Sequence, residues 1–276
     1  MAITNAIPEI WSAKILTQFQ ERAIFAGLAN REYEGEAKTG SVVHITGISP
    51  IVIKDYKAAG RLTSPDEVTD TGIDLPIDNE KSFDFFVDDI DMAQAKPQLM
   101  NAYTKSAADG LVTDADKTLA ALLIAQGTPV TPLAPATDGV SAWNVIRDLK
   151  KAMAKALVPA SERVIVFNAE FAALLDENDS KLMKANESAS TAGLRDASYG
   201  KLLSFDSYSS ENLPVVDLPQ IVGFHKSALA YASTINKTEA MRSQNKFADR
   251  LRGLHVYGAK NLRPDAVYHW TGAVTP

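Results

Sequence analysis

Apolar residues recur every fourth position at the start of the chain. Trp11, Ile15, Phe19 and Ala23 form a helical stripe in "IPEIWSAKILTQFQERAIFAGLANREY", and Pro8 is placed for a first turn. The apolar set also includes Ile10, Leu16, Ile24 and Phe25, more than one stripe needs. Such a helix packs on its own core, or serves as an arm that also packs on a neighbour. From Gly40 to Asp88 the period shortens. "SVVHITGI", "IVIKDY", "GIDLPI" and "KSFDFFVDD" are short β-type runs, punctuated by Gly47, Pro50, Gly60, Pro65, Gly72 and Pro76. The middle, "KAAGRLTSPDEVTD", is polar and has little to pack. The pattern predicts an open two-stranded excursion. Arms of about 20 residues reach roughly 65 Å when extended, against a radius of gyration of about 19 Å for a compact chain of this length. A two-stranded ribbon is marginal alone in water. Something outside the subunit must cover it.

The helical period returns in "KPQLMNAYTKSAADGLVTDADKTLAALLIAQG". Leu99, Tyr103, Ala107 and Leu111 make a stripe that Leu119 and Leu122 continue, with Pro97 in the first turn and Gly127 as the stop. A helix of about 29 residues is roughly 44 Å long, close to the width of the domain. Gly110 in its middle costs about 1 kcal/mol relative to alanine and is the natural bend site. "TPVTPLAPATDG" is the clearest boundary. Beyond it, "SAWNVIRDLKKAMAKAL" predicts an amphipathic helix facing inward through Trp143, Ile146, Leu149, Met153 and Leu157. "RVIVF" reads as a buried strand and "NAEFAALLDEN" as a helix with Asn168 as its N-cap. "IVGFH", "ALAYAS" and a closing β region, "LHVYGAKNLRPDAVYHW", follow. There is no internal repeat and no low-complexity tract. This order predicts an α+β fold.

Composition narrows the function classes. The 276 residues are 46% hydrophobic and 22% charged, an ordinary globular balance that supports a sizeable core. A net charge of −6 and a pI near 5.3 argue against gripping nucleic acid as the main task, though not against proximity to DNA. No apolar run approaches the roughly 20 residues of a membrane span. "MAITNAIPEIW" has neither the basic cluster nor the apolar core of a secretory signal, so a soluble protein that stays in its compartment of synthesis is expected. Cysteine is absent, which removes disulfide and thiol chemistry.

The strongest candidate for chemistry is "GLRDASYGKLLSFDSYSSENLP", Gly193 to Pro214. A phosphate-cradling loop needs four residues between its glycines and a hydroxyl after the lysine. Here six residues separate Gly193 from Gly200, and Leu202 follows Lys201. The stretch reads as a loop with glycines at turns. His44, His225, His255 and His269 are dispersed, and only the last pair could meet, across a terminal hairpin. No carboxylate joins them at a ligand spacing. The acidic run carrying Asp84, Asp88, Asp89 and Asp91 lacks the central glycine and terminal glutamate of a calcium loop, and reads as a turn leading into a helix. No nucleophile elbow exists. No catalytic residue, cofactor or metal site is expected.

Taken in order, the segments resemble a family. "IPEIWSAKIL", "LANREYEG", "GSVVHITGI", "IVIKDY", "LPIDNEKSFDFFVDDIDMAQ", "RVIVFNAEFAALL", the Gly193–Pro214 loop, "IVGFHKSALAYA" and "LHVYGAKNLRPDAVYHW" are together similar to the coat-protein branch of tailed-bacteriophage major capsid proteins. The resemblance implies the Hong Kong 97-type capsid fold. Residues 1–35 correspond to an N-arm, 36–88 to an extended β loop, 89–127 to the spine helix of a peripheral domain, 128–240 to an axial domain, and 241–276 to strands closing the peripheral domain. It places assembly contacts at Trp11, Ile15 and Phe19 on the arm and at Tyr56, Lys57 and Arg61 on the extended loop. Gly193, Arg195, Tyr199 and Gly200 fall in a loop of the axial domain, and Leu99, Tyr103 and Leu111 in the core of the spine helix.

The expected function is polymerisation without turnover. Copies of the chain would form hexamers and pentamers that close an icosahedral shell around phage double-stranded DNA, held without sequence-specific contacts. Scaffolding and portal proteins are the further partners, no membrane is involved, and the destination is the virion. No stretch is long and β-rich enough to be the inserted domain some relatives carry. Lys54, Lys57 and Asn261 include the residue types of the isopeptide bond that closes other shells, but such residues occur in any chain. Two rivals stand beside this reading. One is an encapsulin-like compartment shell, which shares the fold class; the other is a hydrolase with dispersed carboxylates.

Overall fold

A computed structural model describes residues 23–35, 42–48, 51–58, 60–63, 65, 67, 70–88, 98–131, 136–177, 199–215, 217–242 and 247–272. Its centre is a six-stranded mixed sheet in the order β4-β11-β8-β5-β7-β6. These strands are β4 (Thr128–Pro129), β5 (Arg163–Phe167), β6 (Lys201–Leu202), β7 (Phe205–Ser209), β8 (Gln220–His225) and β11 (Val267–Thr271). β5 shows why "RVIVF" is continuously apolar. Its Val164 and Val166 enter one core and Ile165 and Phe167 the other, so each side chain of the two-residue alternation finds cover.

Helices supply that cover. On one face, α3 (Gly139–Lys155) and α4 (Ala169–Leu175) bring Val145, Ile146, Leu149, Met153, Phe171 and Leu175 against Phe205 and Trp270. On the other, the C-terminal half of the long helix α2 (Gln98–Gln126) and the short α1 (Phe25–Leu28) bring Leu119, Ala120, Leu123, Phe25 and Leu28. α2 runs unbroken through Gly110. It stops at Gly127, whose N–H donates to the Leu123 carbonyl at 2.8 Å. A Cβ at Gly127 would lie 2.6 Å from that carbonyl oxygen and 2.9 Å from a Val267 methyl, so only glycine lets the chain turn onto the sheet there.

A three-stranded antiparallel sheet, order β3-β10-β9, projects from this body. It consists of β3 (Asn79–Asp88), β9 (Leu229–Arg242) and β10 (Ala248–Asn261). Among the described residues β1 (Val42–Ile48) and β2 (Asp70–Pro76) pair only with each other, in a ribbon whose base rests on β9 and β10 through Val43, Leu75, Ala230, Ala232 and Val256.

Several expectations need correction. β3 pairs with β10, so the ribbon ends near Pro76 and not at Asp88. Asp84 and Asp88 are therefore strand residues and not part of a turn. β9 belongs to the three-stranded sheet and spans the boundary drawn at 240, and β11, beyond that boundary, lies inside the six-stranded sheet. Leu157 points out of α3's end and is not part of its buried face. "IVIKDY" forms no strand. His255 and His269 sit in different sheets and do not face each other.

Asn168 shows how the body is locked. Its Oδ1 accepts the N–H of Phe171, which caps α4, and the N–H of Gln220 at 2.9 Å, while its Nδ2 donates to the Leu218 carbonyl at 2.6 Å. Replacement Asn168→Ala leaves three buried partners unpaired. It is expected to lower the unfolding free energy by about 2–4 kcal/mol, read as a shift in urea midpoint.

Candidate assembly surface

The first part of the surface is the point where the N-terminal segment meets the body. Asp116, on α2, is 0% exposed although its neighbours on that face are apolar. Its Oδ2 accepts the Ile24 N–H at 3.0 Å and the Asn212 Nδ2 at 2.9 Å, and its Oδ1 accepts the Ala26 N–H at 3.0 Å. One carboxyl group thus fixes the chain at 24–26, the long helix and the loop at 212. Phe25 then stacks on Phe224 with ring centres 6.2 Å apart. The N–H of Asn30 donates to the Leu229 carbonyl at 2.8 Å and the N–H of Tyr231 to the Asn30 carbonyl at 3.0 Å, which ties the segment to β9. An arm drawn to residue 35 is therefore too long, because residues 25–30 are part of the folded body. Trp11, Ile15 and Phe19 lie outside the described residues.

The second part is the ribbon. Its base fits against β10 at Gly258, where a Cβ would overlap the Pro76 carbonyl oxygen and come within 3.1 Å of the Ile77 Cα. Its far end carries Ile51, Val52, Ile53, Tyr56 and Leu62, all exposed, with Ile53 at 95%. The tip is nevertheless ordered by its own hydrogen bonds. Asp55 Oδ1 accepts the N–H groups of Lys57 (2.9 Å) and Ala58 (3.2 Å), and the Arg61 N–H donates to the Tyr56 carbonyl at 2.9 Å. Gly60 and Arg61 close the turn with φ of +66° and +61°. The structure thus brings Tyr56, Lys57 and Arg61 together on one turn.

The third part is the projecting sheet. Its outer face carries two cross-strand ion pairs, Arg250 with Asp84 and Arg252 with Glu239, and a third, Arg242 with Asp249, lies on the opposite face near the distal end. The Arg250 hydrogen bond holds the Asp84 carboxyl below its usual pKa, and Arg252 does the same for Glu239. Its inner face packs Phe83 and Phe85 toward α2, where Phe85 meets Tyr103 at 6.1 Å. Tyr103, expected in the helix core, is 52% exposed, and Leu111 is half-buried; of Leu99 only its place in the helix is described. The N-terminal half of α2 is therefore a ridge with one side open.

Behind that ridge, a cavity of about 360 Å³ lies between α2, the three-stranded sheet and the Ala23–Arg31 segment, with Leu111, Tyr231 and His255 in its wall. Burial pushes the His255 pKa down, so its ring is neutral at pH 7. Its Nε2 lies 3.2 Å from both the Tyr231 hydroxyl and the Ser233 Oγ. Among the described residues no group of three His, Asp or Glu side chains could hold a metal ion.

The axial loop is described only from Tyr199; Gly193 and Arg195 lie outside the described residues. Tyr199 is an anchor and not a free loop residue. Its hydroxyl donates to Asp176 at 2.8 Å, its ring meets Phe167 edge-on at 5.1 Å, and burial raises its pKa. Gly200 takes φ +49° and its carbonyl accepts from Ser207, which starts the β6–β7 hairpin. A turn needing glycine was legible there. Asp116 was missed, although a lone acid in line with Leu119, Ala120 and Leu123 is a readable signal.

An uncovered ribbon tip, an open helix ridge and a segment anchored at residues 24–30 are the geometry of a building block. The profile of a family described as phage capsid protein matches residues 80–270. The chain belongs to the phage capsid protein family. Among solved structures, one from Mycobacterium phage Che8 is 47% identical, with 98% of each chain covered and a TM-score of 0.90. The capsid structure of cyanophage P-SCSP1u is 14% identical, covering 99% of this chain and 95% of that one, with a TM-score of 0.82. The mature capsid of bacteriophage PhiM1 is 15% identical over 98% and 93%, with a TM-score of 0.75. No curated protein matches the chain. The capsid protein is a structural component of the phage shell and not an enzyme, and its place is the virion. The family assignment sets aside the compartment shell and the hydrolase.

Two substitutions test the anchors. Asp116→Ala strands three donors, one buried and two part-buried; a loss of about 3 kcal/mol is expected, with faster tryptic cleavage after Arg31. Gly258→Ala should cost roughly 1–3 kcal/mol by overpacking the ribbon base, read from thermal unfolding of the unassembled protein.

Proposed function

We propose that copies of this capsid protein join through the ribbon and the N-terminal arm into hexamers and pentamers, which close the icosahedral shell around double-stranded DNA. The observation that carries this reading is the ribbon tip. Its backbone is fixed by Asp55 and by the Arg61–Tyr56 hydrogen bond, yet Ile51, Val52, Ile53 and Leu62 have no cover within the subunit. Ordered apolar surface of this kind marks a contact with another chain. A second copy supplies the cover, since the shell is built from the chain itself. Each contact can be modest, because a closed symmetric assembly repeats it many times.

The DNA is enclosed without sequence-specific contacts. A net charge of −6 suits a container that must release its contents, because a strongly basic inner wall would hold DNA electrostatically. Scaffolding and portal proteins are the partners this assembly calls for, to set curvature and to open one vertex.

Replacing Ile51, Val52 and Ile53 together by serine tests the ribbon. Stability of the unassembled subunit should change by no more than about 0.5 kcal/mol, since the side chains are exposed. Closed particles should disappear from electron micrographs of the purified protein expressed with its neighbouring genes. Particles at the normal yield would contradict the assignment.

A further inference from the structure

Helix α3 ends in both hydrogen bonds of a Schellman turn. The Val158 N–H donates to the Met153 carbonyl at 3.1 Å, and the Leu157 N–H to the Ala154 carbonyl at 3.2 Å. Such a turn places its first residue beyond the cap in the left-handed region, and Leu157 has φ +57°. Glycine adopts this backbone freely; leucine is strained there. Leu157 is also 89% exposed, so burial within its own subunit does not offset the strain.

The loop around it is held firmly. Val158 packs against both cores. The buried Arg163 donates from Nε to the Pro159 carbonyl at 2.7 Å and from Nη2 to the Val158 carbonyl at 2.5 Å. Glu162, with φ +55°, is a second left-handed residue in the same loop. The fold therefore aims a leucine into solvent at a position where folding alone favours glycine.

A second observation stands at the other end of the helix. Among the described residues of the body, 128–228 and 267–271, only Val140 joins Leu157 as a large exposed apolar side chain. Val140 lies in the first turn of α3, about 26 Å from Leu157 along the axis. The two ends also differ in charge. Exposed Asp138 and Glu177 flank the Val140 end, where Glu177 accepts the Gly139 N–H at 2.9 Å, and exposed Lys151 and Lys155 flank the Leu157 end, together with exposed Glu162. Each end thus offers one apolar contact, with acids beside Val140 and two lysines beside Leu157 that can pair with them across a joint.

We infer that the Leu157 end of α3 in one copy packs against the Val140 end of α3 in the next copy, head to tail around a ring. This rests on the shell-forming reading above. A contact between two different patches of one chain is heterologous, and heterologous contacts with the right rotation close into rings of the kind capsomers require.

The chain has no cysteine, so cysteines placed by design report cleanly. Assembled particles of the double variant Val140→Cys with Leu157→Cys, treated with a short bis-maleimide, should give a ladder of covalent multimers. Either single variant alone should give none. Particles at normal yield without a ladder would overturn the inference. Leu157→Gly supplies a second reading with opposite signs. Relief of strain should raise the melting temperature of the unassembled protein by about 2–4 °C, while particle yield falls at least tenfold. A normal yield from Leu157→Gly would also overturn it. If the unaltered chain forms no multimers under the same conditions, the shell-forming reading itself fails, and that result is separate from a missing ladder.

Discussion

The folded body depends on one buried carboxyl group. Asp116 gathers two backbone N–H groups from residues 24 and 26 and a side-chain amide from Asn212, partners that are 90 to 96 residues away in the chain. A buried acid without donors would be costly, and buried N–H groups without an acceptor equally so. Each therefore stabilises only in the presence of the other. The arrangement seats Phe25 and Leu28 under the six-stranded sheet.

The ribbon obeys the same rule by different means. Its root is fixed by close packing, with Gly258 admitting the Pro76 backbone and Leu75 buried beneath. Its tip is fixed by local hydrogen bonds and left without cover. Between root and tip, no core stabilises the two strands beyond their mutual pairing. The projecting sheet is intermediate. Its distal half is joined by cross-strand ion pairs, while α2 covers one side. Packing thus thins from the two-faced sheet outward to the ribbon tip, the arrangement expected of locally less stable elements.

Much of this was legible in the residues. The unbroken apolar run of β5, the Asn168 cap, the length of α2 and its stop at Gly127 follow from local pattern and propensity, and the ribbon's exposed tip follows from its poverty in core residues. The errors share one physical cause, because periodicity reports which residues are apolar but not which element meets them. "KSFDFFVDD" reads equally well as a ribbon arm or as a sheet edge, and only the long-range pairing with β10 decides. Tyr103 continues a helical stripe, yet the sheet covers it only in part. Leu157 fits the period of α3, but the helix ends at Lys155, two residues before it, and the left-handed turn rotates it outward. The family resemblance supplied what periodicity could not, namely that the uncovered ribbon belongs to a shell.

Hydrogen exchange of the unassembled subunit and of intact particles would test the central claim most directly. Amides of residues 24–30 should be protected in both, because Asp116 and β9 hold them within the subunit. Amides of the tip, residues 51–63, should exchange quickly in the subunit and become strongly protected in particles. Equal exchange of the tip in the two states would contradict an account in which a second copy covers the ribbon.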